Sequence, residues 1–141
     1  MGYDIYSMLP DKEKAKKYAK EATPWVFDEN GVYVGSDSVY YRMNIWGMGI
    51  LRSLNEALGV SYLNEYLCDN SGRVIRSWEC REAADHLNGL SDDEIREAVM
   101  EIVAGDTQLD TPEEIAAWVK EVRHWQEYLN LCSELKGCEV L

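Results

Sequence analysis

Residues 39–59 read Val-Tyr-Tyr-Arg-Met-Asn-Ile-Trp-Gly-Met-Gly-Ile-Leu-Arg-Ser-Leu-Asn-Glu-Ala-Leu-Gly, and the hydrophobic period changes part-way along them. Val39-Tyr40-Tyr41-Arg42 has the β-branched and aromatic content of a strand. Beyond it, Ile50, Leu51, Leu54 and Leu58 recur at helical spacing. Asn44 stands between the two with a side-chain oxygen able to accept an N–H from a first helical turn, which predicts a helix from Ile45 to about Leu58. Gly59 is placed to end it in the left-handed conformation. Gly47 and Gly49 cost such a helix about 1 kcal/mol each relative to Ala, so close packing or room for a ligand should offset them.

Upstream, residues 25–42 read as antiparallel strands. Trp25-Val26-Phe27, Val32-Tyr33-Val34 and Val39–Arg42 are separated by Asp28-Glu29-Asn30-Gly31 and Gly35-Ser36-Asp37, turn sequences with Gly beside Asn or Asp. The alternation in the opening GYDIYS adds a short strand over about 2–7. Pro10, favourable in a first helical turn, predicts a helix from there to about Ala22. Lys12, Lys14, Lys16, Lys17 and Lys20 on that helix make the chain's one basic patch, placed to balance acids elsewhere.

Downstream the pattern is helical. After a stretch over 60–76, read as a short helix or strand to Cys68, a turn at Asp69–Gly72 and an extended Val74-Ile75, Ser77 is read as the cap of a helix over 78–88. Its stripe is Cys80, Ala83, Ala84 and Leu87. Ser91 and Glu94 form a capping box opening a helix to about Ala104, with Ile95, Ala98, Val99 and Ile102 on one face. Thr111-Pro112-Glu113-Glu114 starts a last helix to about Lys136, which Gly137 terminates. The expectation is an α+β fold, a small antiparallel sheet (about 25–42, with 2–7) packed against a mainly helical C-terminal half, in one domain over 1–141.

The 141 residues, 46% of them apolar, suffice for a core without disulfide or metal staples. No apolar run approaches membrane-spanning length, and MGYDIYSMLPDKEK lacks the basic-then-apolar pattern of a secretory signal. A cytoplasmic protein with reduced thiols is expected. The net charge of −12 is uneven: residues 1–24 carry +1, residues 25–90 carry −4, and residues 91–141 carry −9. Such a field repels phosphates and anionic lipid, so no direct nucleic-acid or membrane binding is expected, and a basic partner is. Asp92, Asp93, Glu97, Glu101, Glu113, Glu114 and Glu121 are the candidate interaction surface.

Nucleotide-binding, metalloprotease, hydrolase and haem-attachment motifs are absent, and Cys68, Cys80, Cys132 and Cys138 have no zinc-site spacing. No cofactor, metal or catalytic residue is assigned. His86 and His124 read as ordinary helix residues, and Cys80 and Cys132 as small core hydrophobes. The densest cluster of unusual residues is 40–48. Its bland reading is aromatic core plus a helix cap. Its sharper one is a pocket in which Arg42 grips an anion and Trp46 stacks on a planar group, with Asn44, Glu79 and Arg81 completing it, unless Glu79 simply pairs with Arg42. A third option is an oligomer with Trp118 and Trp125 at a subunit interface.

Four blocks carry a resemblance: MGYD at 1–4, YYRMNIWGM at 40–48, WECREAAD at 78–85, and WQEYLNLCSELKGCEVL at 125–141. In this order they resemble a set of small proteins of actinobacteria and of the bacteriophages that infect them, which have no assigned activity. NIWGM is the most specific piece. Those proteins tend to end in Gly-Gly-aromatic-Glu-Val, from which Lys136-Gly137-Cys138-Glu139-Val140 departs, and this chain is shorter before YYRMN. The resemblance implies bacteriophage provenance and assigns no reaction. With the charge layout, it leads to the expectation of a non-enzymatic protein acting by protein–protein contact, on a basic host factor. A small-ligand binder or minor enzyme built on the Arg42 pocket is the alternative.

Overall fold

Alternation of buried and solvent-facing residues builds the sheet. In a computed structural model that describes residues 2–18, 30 and 37–141, Tyr3, Ile5 and Ser7 point into the core along strand β1 (Gly2–Pro10). Val39, Tyr41 and Met43 do the same along β2 (Ser38–Asn44). The two pair antiparallel, with Ile5 opposite Tyr41 and Asp4 opposite Arg42. The register slips between Tyr6 and Pro10, and Ser7 repairs the slip: its buried hydroxyl accepts from Val39 N–H at 2.8 Å and donates to the Leu9 carbonyl at 2.7 Å. The strands read at Trp25–Phe27 and Val32–Val34 lie outside the described residues.

Helix α1 (Lys12–Tyr18) starts later than expected. Pro10 ends β1 opposite Ser38 instead of opening the helix, and Asp11 caps it, its carboxylate accepting from Lys14 N–H at 3.0 Å. Residues 19–22 of the expected helix lie outside the described residues. Helix α2 (Ile45–Ala57) follows β2 without a loop, Asn44 Oδ1 accepting from Gly47 N–H at 2.6 Å, and Gly59 beyond its end takes φ +87°. A 3-10 turn (Ser61–Leu63), the short helix α3 (Asn64–Leu67) and strand β3 (Arg73–Ile75) occupy the stretch over 60–76.

Helices α4 (Ser77–Asn88), α5 (Asp92–Val103) and α6 (Pro112–Ser133) form the C-terminal half. Ser77 is the first residue of α4 and not its cap; Arg76 holds the cap position without a side-chain bond. Ser91 and Glu94 close the capping box on α5, and Thr111 caps α6 by accepting from Glu114 N–H at 3.3 Å. Arg123 on α6 fastens the α4–α5 junction, donating to Asp92 at 2.9 Å and to the carbonyls of Leu87 and Leu90 at 2.8 and 2.6 Å. His86 Nε2 and the Leu58 carbonyl, 2.8 Å apart, tie α4 to the end of α2.

The chain's last described turn departs furthest from expectation. Helix α6 stops at Ser133 because Lys136 (φ +61°) and Gly137 (φ +87°) reverse the backbone, Gly137 N–H donating to the Cys132 carbonyl at 2.9 Å. Cys138–Val140 then forms strand β4, giving the sheet order β2-β1-β4-β3. All neighbouring strands are antiparallel, with β4 opposite Ile5 on one side and Ile75 on the other.

One apolar cluster joins sheet and helices. Tyr18, Tyr41, Trp125 and Tyr128 meet at its centre with ring centroids 5.0–6.0 Å apart. Tyr128 donates to the Val39 carbonyl at 3.1 Å and Tyr18 to the His124 carbonyl at 2.9 Å, so these phenols are buried with their polar ends satisfied. Trp125 is fully buried here and unavailable to a subunit interface; Trp118 is half-buried. Cys80, Cys132 and Cys138 are buried free thiols, and Cys68 is exposed.

Candidate functional site

The five residues of the expected pocket are not brought to one place. Arg42 and Asn44 lie on β2, at one edge of the sheet, whereas Glu79 and Arg81 lie on the helix that follows β3, at the other edge. Arg42 pairs with Asp4 across the strands at 3.8 Å, and the same carboxylate accepts from the Tyr40 hydroxyl. Burial, and then that bond, holds the Tyr40 phenol well above its usual pKa. Glu79 is 7% exposed and accepts from Tyr66 at 2.7 Å, so it does not pair with Arg42. Arg81 donates to Asn130 at 2.8 Å and lies 3.8 Å from Glu134. Asn44 is occupied as a cap.

Trp46 is the exception to both sequence readings, since it joins neither the core nor a pocket and stands 85% exposed. The reason is its place on α2. Leu51, Leu54 and Leu58 turn inward and Ile50 packs at the core's margin, while Trp46, Gly49, Ser53, Glu56 and Ala57 are exposed at i, i+3, i+7, i+10 and i+11. Trp46, Gly49, Ser53 and Ala57 form an uncharged strip on this side, with Arg52 and Glu56 along one flank. The two early glycines have different reasons. A Cβ at Gly47 would press on the Met43 side chain and lie 3.1 Å from Asn44 Oδ1, whereas one at Gly49 would meet nothing within 4 Å.

At the end of this face Ala57 and Leu58 meet α5 across a groove of about 360 Å³. Ala57, Leu58, Leu90 and Ala98 supply apolar lining, and Glu94, Glu97 and Glu101 supply an acidic wall along α5. The candidate acidic surface therefore separates by role. Asp92 is tied to Arg123, Asp93 to Arg96 at 2.8 Å, and Glu121 is half-buried and accepts from Tyr41 at 3.2 Å. Glu97, Glu101, Glu113 and Glu114 are exposed, and none has a side-chain ion pair among the described residues. On the basic helix, Lys14 is committed to Glu134 at 2.6 Å, a bond that holds the Glu134 carboxyl below the usual range, while Lys12, Lys16 and Lys17 face solvent. Among the described residues, the tie between the lysine patch and the acidic third runs to Glu134 and not to the α5 wall.

Sequence reasoning named Glu97 and Glu101 but missed the α2 face beside them. The only signal was a Trp standing off the Leu51, Leu54 and Leu58 stripe of the same helix. Among the described residues, no cluster of His, Cys, Asp and Glu fits a metal ion, and no helix is long and apolar enough to cross a membrane. No protein-family model, curated protein or solved structure matches the chain.

Proposed function

We propose that this protein acts by binding another protein and not by catalysis, with the carboxylates of α5 and the start of α6 presenting negative potential to a basic partner. One observation carries the reading. Glu97 and Glu101 are exposed on the wall of an apolar groove with no ion pair among the described residues, although other acids of the same third are tied into such pairs. Free charge beside removable apolar surface is what a partner's side chains require: the charge steers encounter and sets register, and the apolar lining supplies the burial. The bacteriophage provenance suggested by the sequence blocks would make that partner a host protein.

The test is retention of basic proteins from a lysate by the immobilised chain at low and high salt, compared with a Glu97→Gln, Glu101→Gln, Glu113→Gln, Glu114→Gln variant. Capture that falls with salt and is lost in the variant is expected, because the Debye length contracts from about 10 Å at 0.1 M to about 3 Å at 1 M. Capture indifferent to both would defeat the proposal. The small-ligand reading has less support, because Arg42, Asn44, Glu79 and Arg81 each have a different protein partner.

A further inference from the structure

The uncharged strip on the outer side of α2, flanked by Arg52 and Glu56, and the acidic groove share a residue, Ala57, and so form one surface. From Trp46 to Ala57 this track runs about 16 Å, the length of three helical turns. At its head stands the most exposed large apolar side chain described, Trp46, and at its foot stand Glu97 and Glu101. Gly49 and Ser53 between them are small, and the space over Gly49 is open, so a partner backbone meets no bulky side chain there.

Building on the protein-binding function proposed above, we propose that this surface seats one basic amphipathic helix of a partner protein. Its apolar stripe would lie along Trp46, Gly49 and Ser53, and its basic turn over Glu97 and Glu101. Three considerations select this occupant. The track has the length of a short helix, with Trp46 at one end, the apolar lining of the groove at the other and small residues between that admit a close helix, the kind of surface on which an amphipathic helix is seated. An indole standing free at one end is the kind of anchor that dominates interface energetics. The strip itself carries no charge, and carboxylates gather at its foot, Glu56 on α2 and Glu97 and Glu101 on the α5 wall, which fits a helix with cations gathered at one end. Lys or Arg in the last turn also complement such a helix's own dipole. A second copy of this chain fits less well, because it would bring another −12 of charge to an acidic wall.

The experiment uses the full chain and a fluorescent peptide of about 14 residues, roughly four helical turns. The peptide carries Leu at i, i+3 and i+7 and three Lys in its last turn; a second peptide replaces those Lys with Glu, and a third moves them to the first turn. Anisotropy titrations compare the chain with Trp46→Ala, Ser53→Arg and Glu97→Gln/Glu101→Gln variants. Trp46 and Ser53 are both solvent-facing, and an unchanged melting temperature confirms that each variant folds.

The first peptide should bind at least 10-fold more tightly than the Glu peptide, and more tightly than the peptide with Lys moved. Trp46→Ala and Ser53→Arg should each weaken it at least 10-fold, and the double Gln variant should remove most of its salt dependence. Absence of binding by the first peptide, equal binding by all three, or indifference to Trp46→Ala overturns the inference. If salt-sensitive capture of basic proteins persists in Trp46→Ala while the peptide fails, the acidic-surface function stands and the helix-seating inference falls. If capture also fails in the unsubstituted chain, both fall.

Discussion

Arg123 Nε donates to Asp92 Oδ1 at 2.9 Å, which joins the middle of α6 to the first residue of α5. The same guanidinium donates to the Leu87 and Leu90 carbonyls, at and beyond the end of α4, where backbone acceptors lack intrahelical partners. Arg123→Ala should therefore lower the unfolding free energy by about 2–3 kcal/mol, the range for hydrogen bonds to a charged group. Arg123→Lys should recover less than half, because one ammonium cannot reach three separated acceptors. Urea unfolding of the two variants measures this, and a loss near zero would mean that water replaces the bonds.

Ser7 is small and buried, yet it carries a hydrogen bond the ladder cannot make. Without its hydroxyl, Val39 N–H is left without that acceptor beside a fully buried side chain. Ser7→Ala should cost about 1–3 kcal/mol, the penalty for a buried unsatisfied donor. Hydrogen exchange at the Val39 amide should accelerate by more than global destabilisation explains. An unchanged exchange rate would refute the role given to Ser7.

Gly137 has φ +87°, and a Cβ there would collide with the Ile75 carbonyl oxygen. Gly137→Ala should therefore lose about 3 kcal/mol or more, combining left-handed strain with a backbone clash. Gly49→Ala makes the control: it should gain up to about 1 kcal/mol, since its Cβ enters open space on a helix. Thermal melts of the pair give opposite signs if both assignments hold.

Alkaline pH should unfold the protein. Burial holds the phenols of Tyr18, Tyr41 and Tyr128 above the usual 10.0, and pushes Tyr62 up to about 12, with Glu82 and Glu79 adding to it. A raised folded-state value means that the unfolded chain loses its proton first. The stabilisation is thus complete below pH 10.0 and is lost as pH climbs from there through the folded values. Phenolate absorbance of these tyrosines should appear together with unfolding. The Tyr62 hydroxyl is buried without a hydrogen-bond partner among the described residues, so Tyr62→Phe should be neutral or stabilising at pH 7 and should soften the alkaline loss. Destabilisation at neutral pH would show that the hydroxyl is satisfied.

The helical half was legible because its signals are local. Ser91 with Glu94, Thr111 with Pro112, and Asn44 are each resolved within one turn, and stripes such as Ile95 and Val99 repeat often enough to define a face. Strand β4 was not legible. Three residues leave little room for alternation, and its partners Ile5 and Ile75 are remote in sequence. The same limit hid Arg42's partner, since only the β1–β2 register sets Asp4 opposite it. Trp46 misled for another reason: an indole in an apolar run suits a core, and only the orientation of α2 turns it to solvent.

The position of β4 sets which parts of the sheet can form without the rest. Val140 must lie against Ile5, from the far side of every described helix in sequence, and no other described segment bridges β1 to β3 in its stead. The locally signalled helices α4, α5 and α6 can therefore pack while β1 keeps an open edge on the side away from β2. Completion of the sheet is a long-range closure, and a chain caught before it carries a strand edge open to the wrong neighbour.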